Sequence, residues 1–297
     1  MSIVALGDTL SCFDSIVQLY SCRGGGDIAK LMGPANPSFV GLSAYERVKM
    51  GRDAIRCLES TVSSLQVYLL GMVEFEAALA VQRRLVYEVA GNPESAALVL
   101  CEHPHTLTIG REGSWRHIGA DPLEFRSRRW PVRWVNRGGG CILQTPGQLA
   151  IYPILPLDRL GLGLRAYLDR LGEVLIDVLD DFSIRAHTRP PVPAIWVSDR
   201  PIARLGVAVR DWVSYYGAFL NINPNLDHFR MVHGEKETGG WMTSLERERH
   251  GPLRTSMVRE RVIEYFAKQF GIAQTYLFTE HPLLRHKATR NALVTPS

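Results

Sequence analysis

The chain of 297 residues has no cysteine after Cys141, and its five cysteines (Cys12, Cys22, Cys57, Cys101, Cys141) form no CxxC pair. That leaves no basis for a zinc ribbon or a disulfide framework, and a reducing cytoplasm is the expected location. No run approaches the ~18 apolar residues of a membrane span. The opening stretch MSIVALGDTLSCFDSIVQLY has no basic n-region, and Asp8 and Asp14 interrupt its apolar residues, so a signal peptide is not expected. There is no Lys/Arg-rich run and the net charge is only +4, which gives no reason to expect nucleic acid. Internal repeats and low-complexity tracts are absent. What remains is ordinary for a globular chain: 46% hydrophobic and 22% charged residues, enough to bury a large core.

Residues 1–65 differ from the rest. They hold Gly24-Gly25-Gly26, the stretch GPANPS and only short apolar runs. They read as an N-terminal extension. Met50 and Met72 lie downstream, so a start inside or after this stretch is a second reading.

From residue 66 the periodicities sharpen. LQVYLLG (65–71) reads as a strand. From Val73 to Val89, apolar residues recur at three- and four-residue steps, the period of a helix, and AGNP ends it. AALVLC (96–101) reads as a buried strand, which Thr106–Ile109 extends, and Val132–Val135 as another. LAIYPIL (149–155) is a strand and Leu162–Leu179 an amphipathic helix. After the Pro-rich TRPPVPA, the runs AIWV, IARLGVAVR and SYYGAFLNI read as a meander. Met257–Phe270 is the last amphipathic helix. Strands interrupted by a few helices predict an α+β domain with a mixed sheet and flanking helices. The predicted domain spans 66–275, with 276–297 as a tail.

The strongest local feature is Arg137-Gly138-Gly139-Gly140, followed by Cys141, Ile142, Leu143, Gln144 and then TPGQ. Consecutive glycines let backbone approach a ligand closely, and their amides can hold a carbonyl or phosphate oxygen. An adjacent arginine adds charge to such a cradle. The other reading is a glycine-rich turn without a ligand. It is not a phosphate-binding P-loop, because no Gly-Lys-Ser/Thr follows.

This stretch resembles the RGG-x-x-T-x-HGPGQ loop of the lipoyl(octanoyl) transferases, in the biotin/lipoate protein ligase superfamily. LLGMVEFEAALAVQRRLV (69–86) is similar to that family's opening strand and helix, and LVLCEHPHTLTIGREG (98–113) to its LLLEHPPVYTLGRRG segment. WVSDRPIARLGVAVR (196–210) resembles V-x-x-x-K-I-A-x-LG, YYGAFLNINPNLDHF (215–229) resembles HG-x-ALN-x-x-x-DL-x-x-F, and MTSLERE (242–248) resembles VTSL-x-x-E. The resemblance runs over residues 66–270 in the family's order. It implies a biotin/lipoate ligase-like fold and octanoyl transfer from acyl carrier protein, through an enzyme cysteine, to a lysine of a lipoyl domain. No cofactor, metal, nucleic acid or membrane is implied. Carried over by position, the substrate-binding residues are Arg137 to Gln144, then Arg204, Leu205 and Gly206, then Gly217, Ala218 and Phe219.

The chemistry explains why the family needs its cysteine and lysine. A thiolate is both nucleophile and leaving group, a nearby lysine favours the anion, and loop amides stabilise the oxyanion. Here the lysine position is Pro201 and the cysteine position is Glu235, or His233 with a two-residue shift. The family's loop histidine is Gln144, the glycine after it is Thr145, and the histidine before Gly217 is Tyr216. The standard relay is therefore not expected to run. Arg200 and Arg204 flank Pro201, but arginine stays protonated. Cys141 is a substitute nucleophile if its side chain enters the pocket, and a small buried hydrophobe otherwise. His103-Pro104-His105 and His233-Gly234-Glu235 lack metal-ligand spacing. Two outcomes stay open: an acyltransferase with altered catalysis, or a non-catalytic relative binding an acyl group, carrier protein or lipoyl domain.

Overall fold

The computed structural model describes residues 62–92, 94–119, 121–232 and 242–284. Strand β1 (Ser64–Met72) leads into α1 (Phe75–Gly91), β2 (Ser95–Glu102) and β3 (Thr106–Ile109). A short turn of helix at Trp115–His117 and α2 (Pro122–Ser127) precede β4 (Val132–Trp134), β5 (Cys141–Gln144) and β6 (Gln148–Ile154). Then come α3 (Leu164–Asp181), β7 (His187–Arg189), β8 (Val192–Val197), β9 (Arg200–Arg210) and β10 (Val213–Asn221). A 3₁₀ segment at Leu226–Met231, α4 (Leu245–Arg249), α5 (Thr255–Phe270) and β11 (Gln274–Phe278) complete it.

Eight strands form one sheet in the order β11-β1-β2-β6-β10-β9-β8-β7. β1 runs parallel to β11 and β2, and the remaining pairs are antiparallel, so the sheet is mixed. The sequence explains its burial. β2 and β6 are almost wholly apolar because both of their faces are covered. Ala96, Leu98 and Leu100 face a core built with α3 and α5. Ala97, Val99 and Cys101 face a core built with α1. The two-residue alternation thus sorts β2 between two helical layers. On α5, Val258, Val262, Phe266 and Phe270 recur every four residues and form the buried stripe. Burying each such side chain contributes about 1.5–3 kcal/mol. Gly271, at φ 66°, ends that helix in the left-handed conformation glycine adopts without cost.

Two sequence expectations change. Thr106–Ile109 does not continue the main sheet; with Val132–Trp134, a strand as expected, and β5 it forms a separate three-stranded sheet, β4-β3-β5, over a small core of its own. β11 carries the main sheet past residue 275, where the sequence placed the end of the domain. Residues 1–61 lie outside the described part. No helix among the described residues is long and apolar enough to cross a membrane.

Candidate functional site

The glycine loop lies between β4 and β5 and is laced to two neighbours. Gly110 N, Arg111 N and Glu112 N donate to the carbonyls of Gly140 (3.1 Å), Arg137 (3.0 Å) and Gly139 (3.2 Å). On the other side Gly138 N donates to Val207 O of β9 at 2.8 Å. Gly139 N donates to the Glu112 carboxylate at 3.3 Å, and its φ of +78° is one that glycine adopts without strain. The expected cradle is therefore partly filled by the chain itself.

Arg137 differs from its expected role beside the ligand. Its side chain is fully buried. One terminal nitrogen donates to Gly138 O (2.9 Å) and the other to Thr108 O (3.1 Å) and Thr108 Oγ1 (2.9 Å). It is a strut that ties the loop to β3. Burial lowers its pKa to about 10, so it is still charged at neutral pH. Gln144 Nε2 also donates to Thr108 Oγ1, at 2.9 Å, and that hydroxyl donates in turn to Ile142 O. The hydroxyl thus uses its full capacity. Arg137 Nε and Gln144 Oε1 are buried without partners among the described residues.

β9 and β10 bring further candidates to this loop. Gly206 leaves room for Arg137: a Cβ there would lie 3.0 Å from its Cδ and from Gly138 O. Gly217 pairs with Gly206 across the strands, Ala218 with Leu205 and Phe219 with Arg204. Arg137–Gly140, Gly206 and Gly217 are therefore assembled. Cys141 and Leu143 are not, because alternation along β5 sends them into the small-sheet core while Ile142 enters the α1 core. The Cys141 thiol donates to Ser114 O at 3.6 Å, and burial pushes its pKa up. That is the opposite of activation.

Pro201 lies buried in β9 opposite Trp196, beside an extra residue, Ile202, that shifts the register with β8. A bulge tolerates proline because the ladder is already broken there. The Pro201 carbonyl accepts from Thr243 N at 3.0 Å. Thr243 Oγ1 donates to Glu248, which pairs with Arg200 at 2.9 Å. His233 and Glu235 lie outside the described residues.

Sequence reading missed Gln82. It sits fully buried on α1, and its Oε1 accepts from the backbone N–H of Tyr216 at 2.8 Å. Tyr216 needs that support, since its φ is +55°. The signal was present: Gln82 is the polar member of an apolar helical stripe.

His103 is held by both nitrogens. Nδ1 donates to Val73 O (2.6 Å) and Nε2 accepts from the Tyr152 hydroxyl (2.7 Å). Burial lowers its pKa to about 4, so it stays neutral in the fold. The unfolded chain takes up that proton near pH ~6.5. Stability is therefore full above that value and falls as pH drops toward 4, by about 3 kcal/mol from this residue. Burial also lowers the His105 and His228 pKa values, in the same direction. Urea unfolding at pH 7.5 and pH 5 checks this, and His103→Gln is expected to remove the largest share of the difference. His105 Nε2 is itself committed to His228 Nδ1 at 3.0 Å.

Known proteins resemble this chain in both sequence and fold. The lipoyl protein ligase A/B catalytic domain matches residues 74–267. The octanoyltransferase of Caldicellulosiruptor saccharolyticus is 34% identical over 220 residues, 73% of this chain and 93% of the relative. That of Geobacter metallireducens is 36% identical over 215 residues, covering 72% and 97%. Among solved structures, a lipoate-protein ligase A bound with ATP superposes with a TM-score of 0.63 at 16% identity, covering 76% of this chain and 93% of that one. A bipartite lipoate protein ligase from Thermoplasma acidophilum, described with its E2 lipoyl domain, gives 0.59 at 14% identity over 77% and 91%. These structures fix the fold, and the sequence relatives fix the family: the chain belongs to the octanoyltransferases of lipoate biosynthesis.

Proposed function

We propose that this chain keeps the family's acyl-binding frame and has lost the cysteine–lysine relay. The observation that carries this is Pro201, a buried residue without charge or N–H at the lysine position. No lysine occurs between Lys49 and Lys236, and Lys268 is exposed on α5. Arg200 is engaged with Glu248, and a guanidinium does not exchange protons near neutral pH. Among the described residues the thiols are Cys101 and Cys141. Burial pushes both upward in pKa, Cys101 far upward. The partners on this reading are an octanoyl carrier protein and lipoyl domains, met in the cytoplasm and bound without transfer.

The test incubates the full chain with octanoyl carrier protein and apo lipoyl domain, followed by intact mass. We expect no mass added to the lipoyl domain or to the chain, with saturable binding of the octanoyl carrier. Octanoylated lipoyl domain formed at the relatives' rate would overturn the reading. A Cys141→Ser-sensitive adduct would favour altered transfer instead. Gly139→Val is expected to abolish acyl binding, because a β-branched residue is strained at φ +78° and fills the ligand's space. Unchanged affinity in calorimetry would remove the pocket from the account.

A further inference from the structure

We infer that the cavity of about 720 Å³ between α1, the end of β4 and the β9–β10 hairpin is a binding site for a small, flat organic anion. Its volume falls in the range of small-molecule sites. The floor is formed by buried Leu79 and Val86 of α1 and by Tyr215 and Tyr216 of β10. At the mouth stand Trp134 (63% exposed) and Tyr87 (74% exposed), the latter with the Arg84 guanidinium over one face at 5.8 Å from the ring centre. Exposed aromatic faces around one cavity offer stacking to a planar group.

Four charged side chains line the cavity, Glu76 (paired with Arg133 at 3.0 Å), Arg83, Arg210 and Asp211, so the unmatched charge is the single positive one of Arg83, which favours an anion. Arg83 lines the cavity and forms no ion pair among the described residues. Arg210, also on the wall, reaches Asp211 only at 3.6 Å, with both side chains mostly exposed. The Tyr215 hydroxyl accepts from Asn136 Nδ2 at 2.7 Å, which leaves its own proton to donate. An alkyl chain would gain from the floor alone and leave these donors unused.

The hairpin beside the cavity closes through a two-residue loop. The hairpin turns on Asp211 (φ 53°) and Trp212 (φ 60°), positions where Asn-Gly is favoured. A tryptophan with positive φ is an outlier, and Trp212 is 60% exposed. Tyr216 adds a third left-handed residue, and both Asp211 and Tyr216 line the cavity.

The experiment is calorimetry on the full chain with a nucleoside monophosphate, an aryl carboxylate and octanoate. We expect at least one planar anion to bind with Kd below about 1 mM, and whichever arm binds tells a nucleotide from an aryl acid. Arg83→Gln and Trp134→Ala are each expected to weaken it about tenfold or more, leaving octanoate and octanoyl carrier binding unchanged. Absence of binding by either planar anion, or wild-type affinity in both single variants, overturns the proposal. Absence of octanoyl carrier binding alone would count against the acyl-binding function proposed above and not against this inference.

Discussion

Gly217→Ala is expected to be strongly destabilising. A Cβ at this position would stand 2.1 Å from Ile151 O and 2.6 Å from Pro153 Cδ. Both atoms belong to β6, the strand between β2 and β10 at the middle of the sheet. No rotamer relieves a contact between a Cβ and a backbone carbonyl, so the strands must separate. The ladder has little slack here. Pairing of β10 with β6 covers only Ala218–Asn221 against Gln148–Ile151. Beyond it Pro153 offers no N–H, and Ser214 bridges the gap, donating to Pro153 O (2.9 Å) and accepting from Leu155 N (3.1 Å). Prying β10 outward breaks that bridge and opens both main cores. The expected cost is about 4 kcal/mol or more, a large part of a domain's stability. Equilibrium unfolding in urea measures it. Gly91→Ala, where a Cβ meets nothing within 4 Å, is the control and is expected to change little. A cost near that control for Gly217→Ala would mean the strands approach less closely than described.

The main sheet and its helices were legible because their signals are local. β2 declares itself by an uninterrupted apolar run, and α3 and α5 by apolar residues at three- and four-residue steps. Which sheet a short strand joins is not local. β3 has four residues, all buried, and nothing in TLTI distinguishes the edge of the main sheet from the centre of a small one. β11 escaped because QTYLF is exposed along its whole length and shows no alternation. The site divides in the same way. The glycines were visible as glycines, whereas the role of Arg137 depends on Thr108, distant along the chain and adjacent only after folding. The sequence reading of Cys141 turned on a direction its neighbours could not supply, and β5 settles it by alternation. Pro201 is legible as a proline at the position where the resembled segment carries lysine. That it fits without disturbing β9 follows from the bulge at Ile202, which pairing alone reveals.

Gly110→Ala is expected to release the glycine loop while the domain stays folded. Gly110 stood in the sequence as part of a family-like segment and drew no separate notice. In the fold its Cβ would lie 2.3 Å from Gly139 O, 2.8 Å from an Arg137 terminal nitrogen and 3.1 Å from Arg137 O. The methyl group therefore drives apart the turn after β3 and the loop it holds. Three backbone bonds lace these segments, from Gly110, Arg111 and Glu112, and each contributes about 1 kcal/mol net. The Arg137 strut loses its seat with them. The core of α3, α5 and the main sheet contains none of these residues, so global unfolding does not follow. We expect a loss of about 2–4 kcal/mol, faster amide exchange over residues 137–143, and octanoyl carrier affinity reduced at least about tenfold. The contrast with Gly217→Ala separates a backbone contact that builds the sheet from one that shapes the site. If Gly110→Ala frees the loop amides to exchange and the octanoyl carrier still binds as before, the loop does not hold the acyl group, and the ligand must contact β9 and β10 instead.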